Sequence, residues 1–267
     1  TGTMNILATI IAEKKKEVAI RKTAMPMLLL EHSTLFEREP ISMKGTISAA
    51  QSTGIIAEFK RKSPSKSWIN QSAEAGAVSL AYARAGVAGI SVLTDAAFFG
   101  AQHTDFEQVR TLNQRPVLRK DFIIDEYQII ESKAMGADVI LLLAKVLPPE
   151  KIEAYTALAH RLGLEVLLEM QNEQEVLANC TTAADMLGIN NRNLENFSVD
   201  FENSARLAAL LPQEKLKIAE SGIETAQDIR YLRSVGFSGF LIGDRFMRHD
   251  DPGLACTTLI KHLGHEH

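Results

Sequence analysis

From residue 55 onward, eight short apolar runs follow one another, at 55–60, 89–95, 116–120, 138–144, 165–170, 186–191, 216–220 and 239–243. They begin 21 to 34 residues apart, room each time for a strand, a loop and one helix. Runs such as Val139-Ile140-Leu141-Leu142-Leu143 are apolar without alternation, as a parallel strand covered on both faces must be. Between them, the segments 75–86, 125–136 and 150–163 carry helical marks and end at glycine, which accepts left-handed angles beyond a last turn. Alternating β and α units with right-handed crossovers leave an open doubly wound sheet or a closed barrel. Neither G-x-G-x-x-G nor G-x-x-x-x-G-K-[ST] occurs, so the nucleotide loop that announces many open sheets is missing. The expectation is a closed (β/α)8 TIM barrel over residues 55–267. Residues 1–54, with helical candidates at 5–22 and 42–52, read as an N-terminal helical extension packed on that barrel rather than a second domain.

Composition narrows the function classes. Lys and Arg total 29 against 33 Asp and Glu, a net charge of −4, which argues against coating DNA or RNA. Two cysteines, Cys180 and Cys256, make no disulfide framework or zinc finger and read as packing residues. Seven histidines include no H-E-x-x-H, and His265-Glu266-His267 reads as a loose tail, so neither metal nor cofactor is expected. No segment approaches the ~20 apolar residues of a membrane span. The apolar run 6–12 leads into Lys14-Lys15-Lys16 without the flanks of a signal peptide. Glu13 and Glu17 beside those lysines suggest a solvated helix face. The expected protein is a cytoplasmic, reduced monomer with a small-molecule partner and no nucleic-acid or membrane partner.

Charges at the strand ends point to chemistry. Residues two apart on a strand share a face. If Ile56 points inward, so do Glu58 and Lys60; Leu118 brings Lys120 and Phe122, Leu167 brings Glu169, and Ile218 brings Glu220. Asn190 shares its face with Gly188 and Arg192. Any one of these fits an outward side chain or a structural ion pair. As a set they sit at the C-terminal strand ends, the catalytic face of such barrels, where packed layers otherwise use Val, Ile and Leu. Unpartnered buried ions cost several kcal/mol each, so the set suggests a polar pocket for an anionic ligand.

Ser221-Gly222 after the seventh run and Gly243-Asp244 after the eighth fall where barrels of this kind often hold phosphate. The loop 61–70 is long and basic, apart from Trp68 and Ile69. It fits a mobile lid over the pocket or a disordered surface loop equally well.

The stretches IIAEFKRKSPSKS, VLTDAAFFG, RPVLRKDFIIDEYQI, EVLLEM, LGINNRNLENFSVD, IAESGI and FLIGDRFM resemble, in order, those of the indole-3-glycerol phosphate synthases. These are (β/α)8 lyases of tryptophan biosynthesis. The resemblance implies ring closure of 1-(2-carboxyphenylamino)-1-deoxyribulose 5-phosphate with loss of carbon dioxide and water, and no cofactor. It assigns Lys120 as general acid on the carbonyl oxygen, Glu169 to support proton transfer and orient the lysine, and Glu58 and Lys60 to the dehydration. Asn190, Arg192, Glu220, Ser221 and Ser63 would line the pocket, Phe122 and Leu141 would face the aromatic ring, and Ser221-Gly222 with Gly243-Asp244 would cradle the phosphate. Neighbouring cations would lower the Lys120 pKa. Three departures stand out: Ser67-Trp68 where the family has glycine, Gly100-Ala101-Gln102 for Gly-Gly-Ser, and Asp244 where a Ser or Thr would help a phosphate, so that its carboxylate must point away. A phosphoribosylanthranilate-type isomerase and a non-catalytic phosphosugar-binding barrel are the alternatives.

Overall fold

The computed structural model describes residues 4–193 and 196–264; the 265–267 tail lies outside them. In chain order the strands are β1 (Ile55–Phe59), β2 (Lys62–Ser63), β3 (Ser67–Trp68), β4 (Gly89–Leu93), β5 (Val117–Lys120), β6 (Val139–Leu143), β7 (Glu165–Met170), β8 (Met186–Asn190), β9 (Leu216–Glu220) and β10 (Gly239–Ile242). β1 and β4 to β10 close into a barrel in which β1 pairs in parallel with both β4 and β10. Each of the eight expected runs holds one barrel strand, and helices connect them. Gly86, Gly136 and Gly163 end their helices with φ of 98°, 87° and 78°, as the stop signals predict.

Strand pleating sorts the apolar side chains into two cores. Ile56, Leu118, Leu141, Leu167, Met186, Ile218 and Leu241 fill the barrel interior. Ile55, Ala57, Phe59, Ile140, Leu142 and their counterparts face the helices. Each fully buried Val, Leu, Ile or Phe contributes about 1.5–3 kcal/mol. The inward parity read from Ile56, Leu118, Leu167 and Ile218 is the one observed, and it aims the charges at the ends of β1, β5, β7 and β9 into the mouth of the barrel.

The first 54 residues form α1 (Met4–Ala24), α2 (Met27–Glu31) and α3 (Met43–Ser48). α3 closes the floor of the barrel. Met43 and Ile47 join the interior cluster, and the Met43 side chain lies so near Gly89 that a Cβ there would meet it at 2.6 Å. The Ser42 hydroxyl donates to Glu165 at 2.7 Å, the Met43 amide donates to the other Glu165 oxygen at 2.7 Å, and the Ile41 amide donates to Asp138 at 2.7 Å. Glu165 begins β7 and Asp138 immediately precedes β6.

α1 fastens to the opposite end. Lys14 Nζ lies 2.6 Å from Asp95, 3.0 Å from Asp121 and 3.0 Å from Glu17, and Asp95 and Asp121 follow the C-terminal ends of β4 and β5. The solvated lysine face is therefore corrected for Lys14, which is 1% exposed while Lys15 and Lys16 are exposed. Its spacing explains this, because Ile10 and Val18, one turn away on either side, are the buried stripe of α1. Burial alone would lower the Lys14 pKa, but Asp121 and Asp95 outweigh it and raise it. The packing role read for Cys180 is also corrected: it is exposed, whereas Cys256 is buried. Among the described residues, no helix is long and apolar enough to cross a membrane.

Candidate active site

The mouth of the barrel is built on Glu58, buried at the end of β1. Its Oε2 accepts from Ser91 Oγ at 2.8 Å and from Lys120 Nζ at 2.9 Å, while Lys60 Nζ lies 3.8 Å from Oε1. The β1–β4 register sets Glu58 directly beside Ser91. Ser91 was not legible as a site residue, because a lone serine in Gly-Ile-Ser-Val-Leu has the look of an ordinary strand. Lys120 donates to Glu58 and not to Glu169. Glu169 acts on the lysine through space.

The expected lowering of the Lys120 pKa is also corrected. Burial works in that direction, but the carboxyls of Glu58, Glu220 and Glu169 overcome it and raise the pKa. Lys60, the other lysine of the mouth, is paired with Asp244 at 2.5 Å.

Glu220 completes a carboxyl cluster. It is 1% exposed, and neither of its oxygens accepts from a donor. Burial and the adjacent Glu169 push its pKa well above the usual carboxylate range, against the pull of Lys120. A protonated Glu220 turned toward Glu169 satisfies both groups, where two carboxylates would repel. Space for it comes from Gly188 opposite on β8, where a Cβ would meet Glu220 Oε2 at 2.4 Å. A raised folded pKa favours the protonated state, so this stabilisation is complete below the unfolded pKa and is lost as pH rises through the folded one. Within that window, stability falls by about 1.4 kcal/mol per pH unit from this one group. Glu220→Gln keeps the neutral form at every pH and should remove that slope. Urea unfolding at a series of pH values checks it, and parallel curves for the two proteins would refute a proton on Glu220.

The rim beside this cluster has the expected loops. Ser221 and Gly222 both have φ of +72°. Left-handed backbone at a non-glycine costs about 1 kcal/mol or more, and at Gly222 a Cβ would collide with Val199 at 2.6 Å. The Asn191 side chain donates to the Ser221 carbonyl at 2.9 Å, bracing this turn from β8. Gly243 lies against Glu58, a Cβ there coming within 3.1 Å of it.

Asp244 departs from expectation, because its carboxylate does not point away. It faces the cavity, with Lys60 2.5 Å from Oδ1 and Lys66 2.8 Å from Oδ2; Arg192 stands 3.9 Å away. Burial opposes its charge, yet Lys60 and Lys66 hold its pKa far below the usual carboxylate range.

Glu58, Lys60, Lys120, Arg192, Ser221, Gly222, Gly243 and Asp244 line one open cavity. Ser63, Phe122, Leu141, Glu169, Asn190 and Glu220 do not line it. Asn190 Oδ1 accepts from the Arg192 amide at 3.0 Å and so shapes the turn that presents the arginine. Phe122 is half-buried against Phe99, with ring centroids 5.9 Å apart. Leu141 sits lower, in the barrel interior.

The 61–70 loop is neither disordered nor featureless. β2 and β3 pair antiparallel through Ser63 and Ser67, the Lys66 amide donates to Ser63 Oγ at 3.2 Å, and the Lys62 ammonium lies 5.2 Å from the Trp68 ring centroid. Ser67, standing where the resemblance expects glycine, has φ of +56°, the conformation for which glycine is the natural residue. Trp68 covers Gly100, where a Cβ would meet its ring at 3.0 Å.

A family model for indole-3-glycerol phosphate synthase matches residues 7–259. The chain is 45% identical over 257 residues to a protein of that name from Bacteroides thetaiotaomicron, covering 96% of this chain and 98% of the other. It is 38% identical over 258 residues to one from Chromobacterium violaceum, covering 96% and 97%. Among solved structures, thiamine phosphate pyrophosphorylase from Pyrococcus furiosus superposes with a TM-score of 0.60 at 16% identity, covering 84% of this chain and 98% of that one. That likeness speaks for the fold alone.

Proposed function

The chain belongs to the indole-3-glycerol phosphate synthase family, and on that premise we propose how its pocket divides the work of a decarboxylating ring closure. The enzyme is a lyase of tryptophan biosynthesis, acting on 1-(2-carboxyphenylamino)-1-deoxyribulose 5-phosphate. Lys120 hydrogen-bonds to the ketone oxygen of the ribulose chain. The ring carbon that bears the carboxylate attacks the ketone carbon, and the oxygen takes a proton from Lys120 as its charge develops. A forming alkoxide is far more basic than lysine, so a raised Lys120 pKa keeps the acid loaded without preventing transfer. The carboxylate then leaves as carbon dioxide and its bonding electrons return to the ring.

In the dehydration, the new hydroxyl leaves as water with a proton from an ammonium, pushed out by the ring nitrogen lone pair. The adjacent CH2 then loses a proton and the pyrrole forms. Glu58 is the base best placed for that proton, because it bridges Lys120 and Lys60. Glu220, pushed toward its protonated form, stands beside the same lysine as a proton reserve, with Glu169 as its neighbour. Ser63, Asn190, Arg192 and the backbone of Ser221-Gly222 and Gly243-Asp244 seat the phosphate and carboxylate, and Phe122 and Leu141 form the apolar side toward the aromatic ring. The free thiols of Cys180 and Cys256 fit a reducing, cytoplasmic setting.

The observation that carries this assignment is the 2.9 Å contact between Lys120 and Glu58 inside a cavity rimmed by Ser221-Gly222 and Gly243-Asp244. Mass spectrometry after incubation with the ribulose phosphate tests it. The product should be lighter than the substrate by one carbon dioxide and one water, whereas an isomerase would leave the mass unchanged and a silent barrel would leave the substrate intact.

A further inference from the structure

We propose that Asp244 is a built-in competitor for the anion seat: its carboxylate holds the cations that the substrate's phosphate needs, and substrate binds by displacing it. This rests on the reading of the rim as a phosphate site and deepens it.

Three cationic side chains converge on the carboxylate. Lys60 comes from the end of β1, Lys66 from the β2–β3 hairpin and Arg192 from the end of β8. The side chain is 13% exposed, so it lies within the mouth of the barrel rather than out in solvent. Its neighbour in the chain, Gly243, is one of the two backbone elements of the rim. A phosphate dianion drawn to Gly243 and Ser221-Gly222 would therefore come close to a carboxylate already holding the positive charge. Like charges a few ångströms apart in a half-buried site repel strongly, so one of the two anions must give way.

Displacement has a structural correlate. Lys66 is the link between Asp244 and the hairpin tip, and at 45% side-chain exposure it is the most solvated of the three partners. This pair, at 2.8 Å, ties the hairpin to the β10 side of the rim. When phosphate takes over Lys60 and Arg192, Lys66 either follows the new anion or is released. Asp244 thus sets the affinity for the phosphorylated end of the substrate and couples it to the hairpin.

Asp244→Ser and Asp244→Asn, compared in the full-length enzyme, test the idea. The first restores a hydroxyl donor; the second keeps the shape and removes only the charge. Two readouts are used: KM for the ribulose phosphate, and the dissociation constant of inorganic phosphate by calorimetry, which needs no turnover. Both variants should lower both constants by about tenfold, equivalent to about 1.4 kcal/mol. Hydrogen exchange of the hairpin amides should be faster in both unliganded variants than in the parent. Unchanged or weaker phosphate binding in both variants overturns the proposal, as does tighter binding by the serine variant alone, since the hydroxyl and not the charge would then be responsible. Failure of the parent enzyme to convert the ribulose phosphate would overturn the catalytic reading instead, while the phosphate titration would still decide the role of Asp244.

Discussion

Turnover by a Lys120→Met variant should fall by about 10²- to 10⁴-fold, the range for loss of a positioned general acid, with substrate affinity held within about tenfold. Methionine keeps most of the lysine stem and removes the proton donor and the charge. Lys120 feels the carboxyls of Glu58, Glu169 and Glu220 together, so its loss leaves three carboxyls around a site without its ammonium. Substrate is held largely elsewhere, on the Ser221-Gly222 and Gly243-Asp244 rim, which is why kcat and kcat/KM should drop together and KM should move little. That pattern marks an interaction made chiefly in the transition state. Steady-state kinetics with the ribulose phosphate measure it. Near-normal turnover would remove Lys120 from the chemistry and shift the acid role to Lys60.

The second large effect lies far from the reacting atoms. Lys14→Met should destabilise the fold by about 3–5 kcal/mol, the usual result of removing one partner from a buried ionic group. The Asp95 and Asp121 side chains are 0% and 1% exposed, so neither can turn to water once the lysine is gone. Asp121 keeps Arg119 at 3.4 Å and Thr94 at 2.6 Å. Asp95 keeps the Phe98 amide at 2.8 Å and loses its cation. Thermal unfolding should show Tm lowered by roughly 10 °C. A loss under ~1 kcal/mol would mean that the network pays little for its burial. Because Asp121 follows Lys120 directly, the same variant should also loosen the β5 turn, visible as faster hydrogen exchange there.

The strands and their inward faces were legible because each barrel strand is covered on both sides, leaving a continuous apolar run that nothing else in the chain imitates. Parity then carried Glu58, Lys120, Glu169 and Glu220 into the same mouth without any knowledge of distance. The partners of those charges were not legible. β1 and β7 each stand one strand away from β5, so whether Lys120 leans on Glu58 or Glu169 is decided by rotamers that leave no mark in the sequence. Lys14 looked solvated because its two aspartates belong to loops distant in the sequence and leave no periodic mark on α1. Asp244 was read from the chemistry of phosphate alone, which demands that a carboxylate retreat. Its ion pairs with Lys60 and Lys66 give it a reason to stay. The hairpin of β2 and β3 is too short to register as a pattern of alternating residues.

The docking of the first fifty-odd residues bears on the order in which the molecule can be assembled. α3 needs Glu165 and the completed interior to seat its buried Met43 and Ile47, and α1 needs Asp95 and Asp121 to match Lys14. This segment leaves the ribosome before the barrel does; Asp95 and Asp121 follow within the first half of the 267 residues, but Glu165 and the completed interior come only in the second half. α3, made before the barrel it closes, is thus among the last elements to find its place, and until then Met43 and Ile47 travel uncovered.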